Sequence, residues 1–187
     1  MSLVRSAAAW RASLSDPSLS GRLRHWLTDE GSLTARLRAH GRCFEVRVLR
    51  QALLPPVLDE RAELGLGVRE QARVREVLLM VDGVPRVFAH SVLAQGDARG
   101  PWCSLADMGP RSLGALLFAD RRIRRSTLVF RRLDVRHPLH RAAAAALGLA
   151  PGALPALWAR RSVFCRAGHR LLVCEVFLPG IGDLVQP

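Results

Sequence analysis

Two charged residues sit where a strand should turn an apolar face toward the core. In the stretch Val74 to Val81, alternation places Arg75 beside Val77 and Leu79. In Leu171 to Leu178 it places Glu175 with Leu171, Val173 and Phe177. A lone guanidinium or carboxylate facing an apolar layer is costly unless it is paired or bound to a ligand. Three readings follow. The two residues form a buried salt bridge with each other, or the opposite face of each strand is the core, or they line a pocket. In a pocket, Arg75 would receive a carboxylate through its two-pronged donor set. Glu175 would face a hydroxyl or a transferable proton.

Composition removes several other chemistries. All 28 basic residues are arginine, against 16 acidic ones, for a net charge of +12. With no lysine there is no Schiff-base amine and no Walker A lysine. With no tyrosine there is no phenolic acid or base. The charge suits an Arg-rich solvated surface, an anionic metabolite or nucleic acid. Arg121 to Arg136 holds seven arginines but lacks the aromatic interleaving of single-strand binders, and reads as an exposed strand with its turns. Cys43, Cys103, Cys165 and Cys174 are scattered without a C-x-x-C, as expected of structural thiols in a reducing cytoplasm. His137 and His140 lack partners for a zinc set and read as surface residues at a helix start. Gly65-Leu66-Gly67 is half a dinucleotide loop, and Gly109 to Gly114 is misspaced for a nucleophile elbow. The latter reads as a tight turn opening a helix. No apolar run reaches the roughly 18 residues of a membrane span.

The elements that must position Arg75 and Glu175 are two hairpins. Val74 to Val81 runs through Asp82-Gly83 into Val87 to Leu93, and Trp158 to Cys165 through Ala167-Gly168 into Leu171 to Leu178. Further strands are expected at Phe44 to Leu49 and Ser126 to Leu133. Helices are expected at Leu3 to Leu14, Ser18 to Leu27, after a Ser32 cap, at Ser112 to Phe118 and at Leu139 to Leu147. Leu53 to Gly67, rich in Pro, Leu, Gly and acidic residues, reads as an irregular excursion or flap. Consecutive hairpins favour an α+β domain over residues 1–187, an antiparallel sheet with helices packed on one side.

Several segments then resemble the chorismate lyase family. Trp26-Leu27 with Ser32-Leu33-Thr34 is similar to its N-terminal W-L…S-M/L-T segment. Arg75-Glu76-Val77 through Asp82-Gly83-Val84-Pro85 is similar to its R-E-I/V…D-G-x-P hairpin. Leu113-Gly114 with Leu117-Phe118, Leu157-Trp158-Ala159-Arg160-Arg161-Ser162 and Glu175-Val176-Phe177-Leu178-Pro179 follow in order. The resemblance runs from about residue 20 to the C-terminus. It implies helical flaps over an internal ligand pocket in a cytoplasmic monomer. It also implies a cofactor-free and metal-free elimination that converts chorismate to 4-hydroxybenzoate and pyruvate, at the start of ubiquinone biosynthesis. By position, Arg75 would bind the ring carboxylate and Glu175 the ring hydroxyl. Leu33 and Leu113 would contact the ligand through their backbones. Where some members carry an arginine after the D-G turn, this chain has His90, a candidate for the pocket or its entrance. The same fold also suits a non-enzymatic small-acid effector domain, although no helix-turn-helix module is attached. Neither nucleic acid nor stable membrane insertion is expected.

Overall fold

The structure, a computed structural model, describes residues 9–105, 109 and 111–184. Strands β1 (Phe44–Leu54), β2 (Ala72–Val81), β3 (Val84–Ala94), β4 (Arg124–Arg125), β5 (Val129–Leu133), β6 (Leu157–Arg166) and β7 (His169–Phe177) form an antiparallel sheet. Its order is β1-β2-β3-β7-β6-β4, with β5 also paired to β6. Both hairpins close as their turn residues require. Asp82 and Gly83 have φ of 51° and 77°, and Ala167 and Gly168 have 49° and 84°. Two successive left-handed residues make the tight turn whose twist matches the strands. Asp82 also accepts the Cys43 N–H at 2.8 Å, tying β1 to the turn.

The helices are α1 (Gly21–Thr28), α2 (Leu33–Ala39), α3 (Leu58–Leu64), α4 (Leu113–Ala119) and α5 (Pro138–Ala146). Serines start three of them: Ser20, Ser32 and Ser112 accept the N–H of Leu23, Ala35 and Ala115. Odd-numbered β2 residues face α1 and α2. Val77, Leu79 and Val81 pack there with Trp26, Leu27, Leu33 and Leu37. Even-numbered ones face the other way. Leu78 and Met80 join Phe88 and Val176 beneath Leu139 and Ala143 of α5. Helices on one side thus describes α1, α2 and α4, of which α2 and α4 cover a pocket, while α3 and α5 take the opposite face.

Four local expectations change. Of the proposed Leu3 to Leu14 helix, residues 3–8 lie outside the described set and the remainder is not helical. Arg11 instead exchanges backbone hydrogen bonds of 2.9 and 2.7 Å with Phe130. The Leu53 to Gly67 excursion is largely regular, because Glu60 accepts the Val57 N–H at 2.9 Å and starts α3, which Gly65 ends with φ of 69°. The strand read from Ser126 begins at Val129, because the Ser126 hydroxyl accepts the Val163 N–H. His137 and His140 are buried rather than surface residues. His137 caps α5 by accepting from Leu139 N, and burial holds its pKa down at about 4. His140 Nε2 lies 2.9 Å from the Pro155 carbonyl oxygen.

Candidate active site

A pocket opens between the odd-numbered face of the sheet and helices α2 and α4. Its floor is Val77 and Leu79 of β2, Ala89 and Ser91 of β3, and Val173 of β7. Leu33, Thr34, Leu113, Gly114, Leu117 and Phe118 form the roof. The space between these atoms amounts to about 580 Å³, part of it open to solvent. The roof is close-fitted. A Cβ on Gly114 would lie 2.8 Å from Thr34 Oγ1, so only glycine lets the first turns of α2 and α4 meet. The first N–H groups of both helices have no intrahelical acceptors.

Arg75 and Glu175 both line this pocket, as strand alternation implies, but they do not pair with each other. Arg75 is 8% exposed. Its Nη2 donates to the carbonyls of Gly109 (2.8 Å) and Arg111 (3.1 Å) in the loop leading to α4. Its Nε is buried without an acceptor. Burial lowers its pKa, with no nearby carboxylate among the described residues opposing that shift. A guanidinium nevertheless stays protonated. The site therefore holds a buried cation with a spare donor and, among the described residues, no counter-ion.

Glu175 has a different partner. Arg160, its cross-strand neighbour on β6, donates from Nε to Glu175 Oε2 at 2.5 Å. Arg160 is fully buried. Its Nη1 donates to the carbonyls of Trp26 (3.0 Å), Leu27 (3.2 Å) and Asp29 (2.6 Å), where α1 ends. One side chain thus fixes the Glu175 carboxylate and binds the end of α1. Glu175 Oε1 makes no hydrogen bond among the described residues, leaving an acceptor for a ligand.

Arg125 of β4 is a further cation in the pocket wall. Its Nε donates to Ser162 Oγ and its Nη1 to the Glu30 carbonyl, each at 2.8 Å. The guanidinium lies over the rings of Phe118 and Phe164, 5.7 and 5.3 Å from their centroids. Burial lowers its pKa, opposed by the charge of Glu175. Sequence reading missed both Arg160 and Arg125. Arg160 shares Glu175's face only through the cross-strand register, and Arg125 is hidden in an arginine-rich run on a two-residue strand.

His90 lies elsewhere. On β3 it points opposite to Ala89 and Ser91, away from the pocket, because its parity matches Phe88 and Val92. Its Nδ1 is 3.2 Å from Glu76 Oε1 and its Nε2 is 3.1 Å from Glu60 Oε1, beneath α3. Burial alone would lower its pKa, but the two carboxylates outweigh that and raise it to about 9. Among the described residues, no group of three or more His, Cys, Asp and Glu could hold a metal ion. No helix among them is long and apolar enough to cross a membrane.

A family model described as Chorismate lyase matches residues 4–185. The chain belongs to the chorismate lyase family. Relatives described as probable chorismate pyruvate-lyases agree closely. The Aromatoleum aromaticum protein is 55% identical over 90% of each chain. The Thiobacillus denitrificans protein is 51% identical over 85% of this chain and 83% of its own. Among solved structures, the effector domain of PhnF from Mycobacterium smegmatis superposes with a TM-score of 0.54 at 18% identity. It covers 80% of this chain and 89% of its own, a likeness of fold alone. This chain therefore shares its α+β architecture with that effector domain.

Proposed function

We propose that the chain converts chorismate to 4-hydroxybenzoate and pyruvate, with Arg75 and Glu175 as the polar ends of the substrate site. Family membership supports the reaction. The observation that carries the site assignment is Arg75, a buried guanidinium with an unused donor and no carboxylate partner among the described residues. An uncompensated buried cation is costly in the free protein, and a substrate carboxylate removes that cost on binding. Arg75 would take the ring carboxylate, helped by the backbone N–H groups at Leu33 and Leu113. Glu175, steadied by Arg160, would accept the ring hydroxyl through Oε1.

The reaction needs little further chemistry from the protein. A proton leaves the hydroxyl-bearing ring carbon, the C–O bond to the enolpyruvyl group breaks, and the ring becomes aromatic. Enolpyruvate takes up a proton at its methylene carbon to give pyruvate. Orientation between Arg75 and Glu175, and shielding by the α2 and α4 roof, supply what elimination requires. In cells this step would begin ubiquinone synthesis in the cytoplasm, carried out by a monomer.

The test is a coupled pyruvate assay on wild type, Arg75→Ala and Glu175→Ala, with thermal unfolding alongside. Removing a buried charge-assisted contact should cost about 1.5–3 kcal/mol of transition-state binding, roughly 10- to 150-fold in kcat/KM. Folded variants retaining wild-type turnover would remove Arg75 and Glu175 from the mechanism.

A further inference from the structure

Chorismate carries two carboxylates and its aromatic product carries one. The pocket wall holds two guanidinium groups, Arg75 and Arg125, that form no ion pair with a carboxylate among the described residues, although Glu175, Glu30 and Asp29 lie near enough to act on Arg125 by charge. Arg160 and Glu175 offset one another. The four groups therefore sum to a charge of about +2, matched by a dianion and only half matched by a monoanion.

The register aligns the two cations. Arg75 pairs with Ser91, Ser91 with Val173, and Val173 with Ser162, one row across four strands. Arg125 donates to the Ser162 hydroxyl, so its guanidinium sits at the far end of the row that Arg75 begins. The row spans three strand spacings, roughly 14 Å at about 4.8 Å each. Ser91 and Val173, both pocket-lining, form the floor between. The Arg125 bonds to Ser162 and Glu30 use Nε and Nη1, leaving Nη2 for an acceptor.

We propose that Arg125 binds the enolpyruvyl carboxylate of chorismate, making it the residue that distinguishes substrate from product. This rests on the assignment of chorismate turnover above. The ring carboxylate at Arg75 is common to substrate and product. The second carboxylate leaves with pyruvate, and Arg125 loses its partner at that moment.

The experiment is kinetics on Arg125→Gln and Arg125→Lys, with inhibition by 4-hydroxybenzoate measured on the same preparations. Arg125→Gln is expected to lower kcat/KM for chorismate about 10- to 100-fold, the effect of losing a charge-assisted hydrogen bond. Its inhibition by 4-hydroxybenzoate should move less than about threefold, and Arg125→Lys should recover part of the loss. A purely structural role, through Ser162 and Glu30, would weaken substrate and product alike. That equal loss, or no loss, overturns the proposal. A second arm uses wild type alone, so it does not depend on the variants folding. There 3-(carboxymethoxy)benzoate should bind more tightly than 3-methoxybenzoate, and equal affinities overturn the proposal. Should wild type release no pyruvate from chorismate, the assignment of activity fails and this inference with it. Should it do so while Arg125→Gln behaves as wild type, only this inference fails.

Discussion

His90 lies buried between Glu60 and Glu76, whose charges push its pKa up to about 9, and titrating that ring is a perturbation whose size follows from its surroundings. The His90 side chain is 6% exposed, and those of Glu60 and Glu76 are 3% and 12% exposed. Glu60 also starts α3, and Glu76 is 3.5 Å from Arg50. The folded state holds the His90 proton with a pKa of about 9, against 6.5 for a free imidazole. The sign is that of a raised pKa. The stabilisation is present in full below about pH 6.5, declines as pH rises, and is gone above about 9. At about 1.4 kcal/mol per tenfold change in proton affinity, the difference comes to about 3 kcal/mol. Urea unfolding followed by tryptophan fluorescence at pH 6.5 and 9.5 measures it. Wild type should lose about 3 kcal/mol more than His90→Gln across that interval, since the variant has nothing to titrate there. His90→Gln should also be the less stable protein at pH 6.5, by about 3–5 kcal/mol, because buried Glu60 loses its cation while half-buried Glu76 keeps only Arg50. Equal losses in the two proteins would refute the paired, protonated His90.

Other consequences follow from the same packing. Gly114→Ala forces a methyl to within 2.8 Å of Thr34 Oγ1, and should cost about 1–3 kcal/mol in chemical denaturation while lowering activity by parting α2 from α4. Cys174 is fully buried with its thiol pushed well above the ordinary range, whereas Cys43 and Cys103 are exposed. Alkylation of the native protein at pH 8, read by peptide mass spectrometry, should mark Cys43 and Cys103 and spare Cys174.

The sequence was most legible where structure is decided locally. Asp82-Gly83 and Ala167-Gly168 announce tight turns by residue type, and Ser32 announces a helix by its reach to the N–H three residues on. That Arg75 and Glu175 face the same side as the pocket follows from a strand's period of two, which needs no tertiary information. What was missed needed register. Arg160 meets Glu175 only because β6 and β7 pair with those residues opposite one another. Arg125 enters the pocket only because a two-residue strand joins the edge of β6. His90 is the instructive case. Resemblance suggested a place near the pocket, yet parity alone, with Ala89 and Ser91 facing the pocket, assigns it to the other face. The salt bridge weighed between Arg75 and Glu175 did not form because each has other partners: loop carbonyls for one and Arg160 for the other.

The most direct measurement is incubation of the purified protein with chorismate, with the aromatic product identified by chromatography and mass spectrometry and pyruvate measured in the same sample. The expected result is equimolar 4-hydroxybenzoate and pyruvate at a rate that Arg75→Ala sharply reduces. Chorismate recovered intact after binding, or an aromatic product other than 4-hydroxybenzoate, would contradict it.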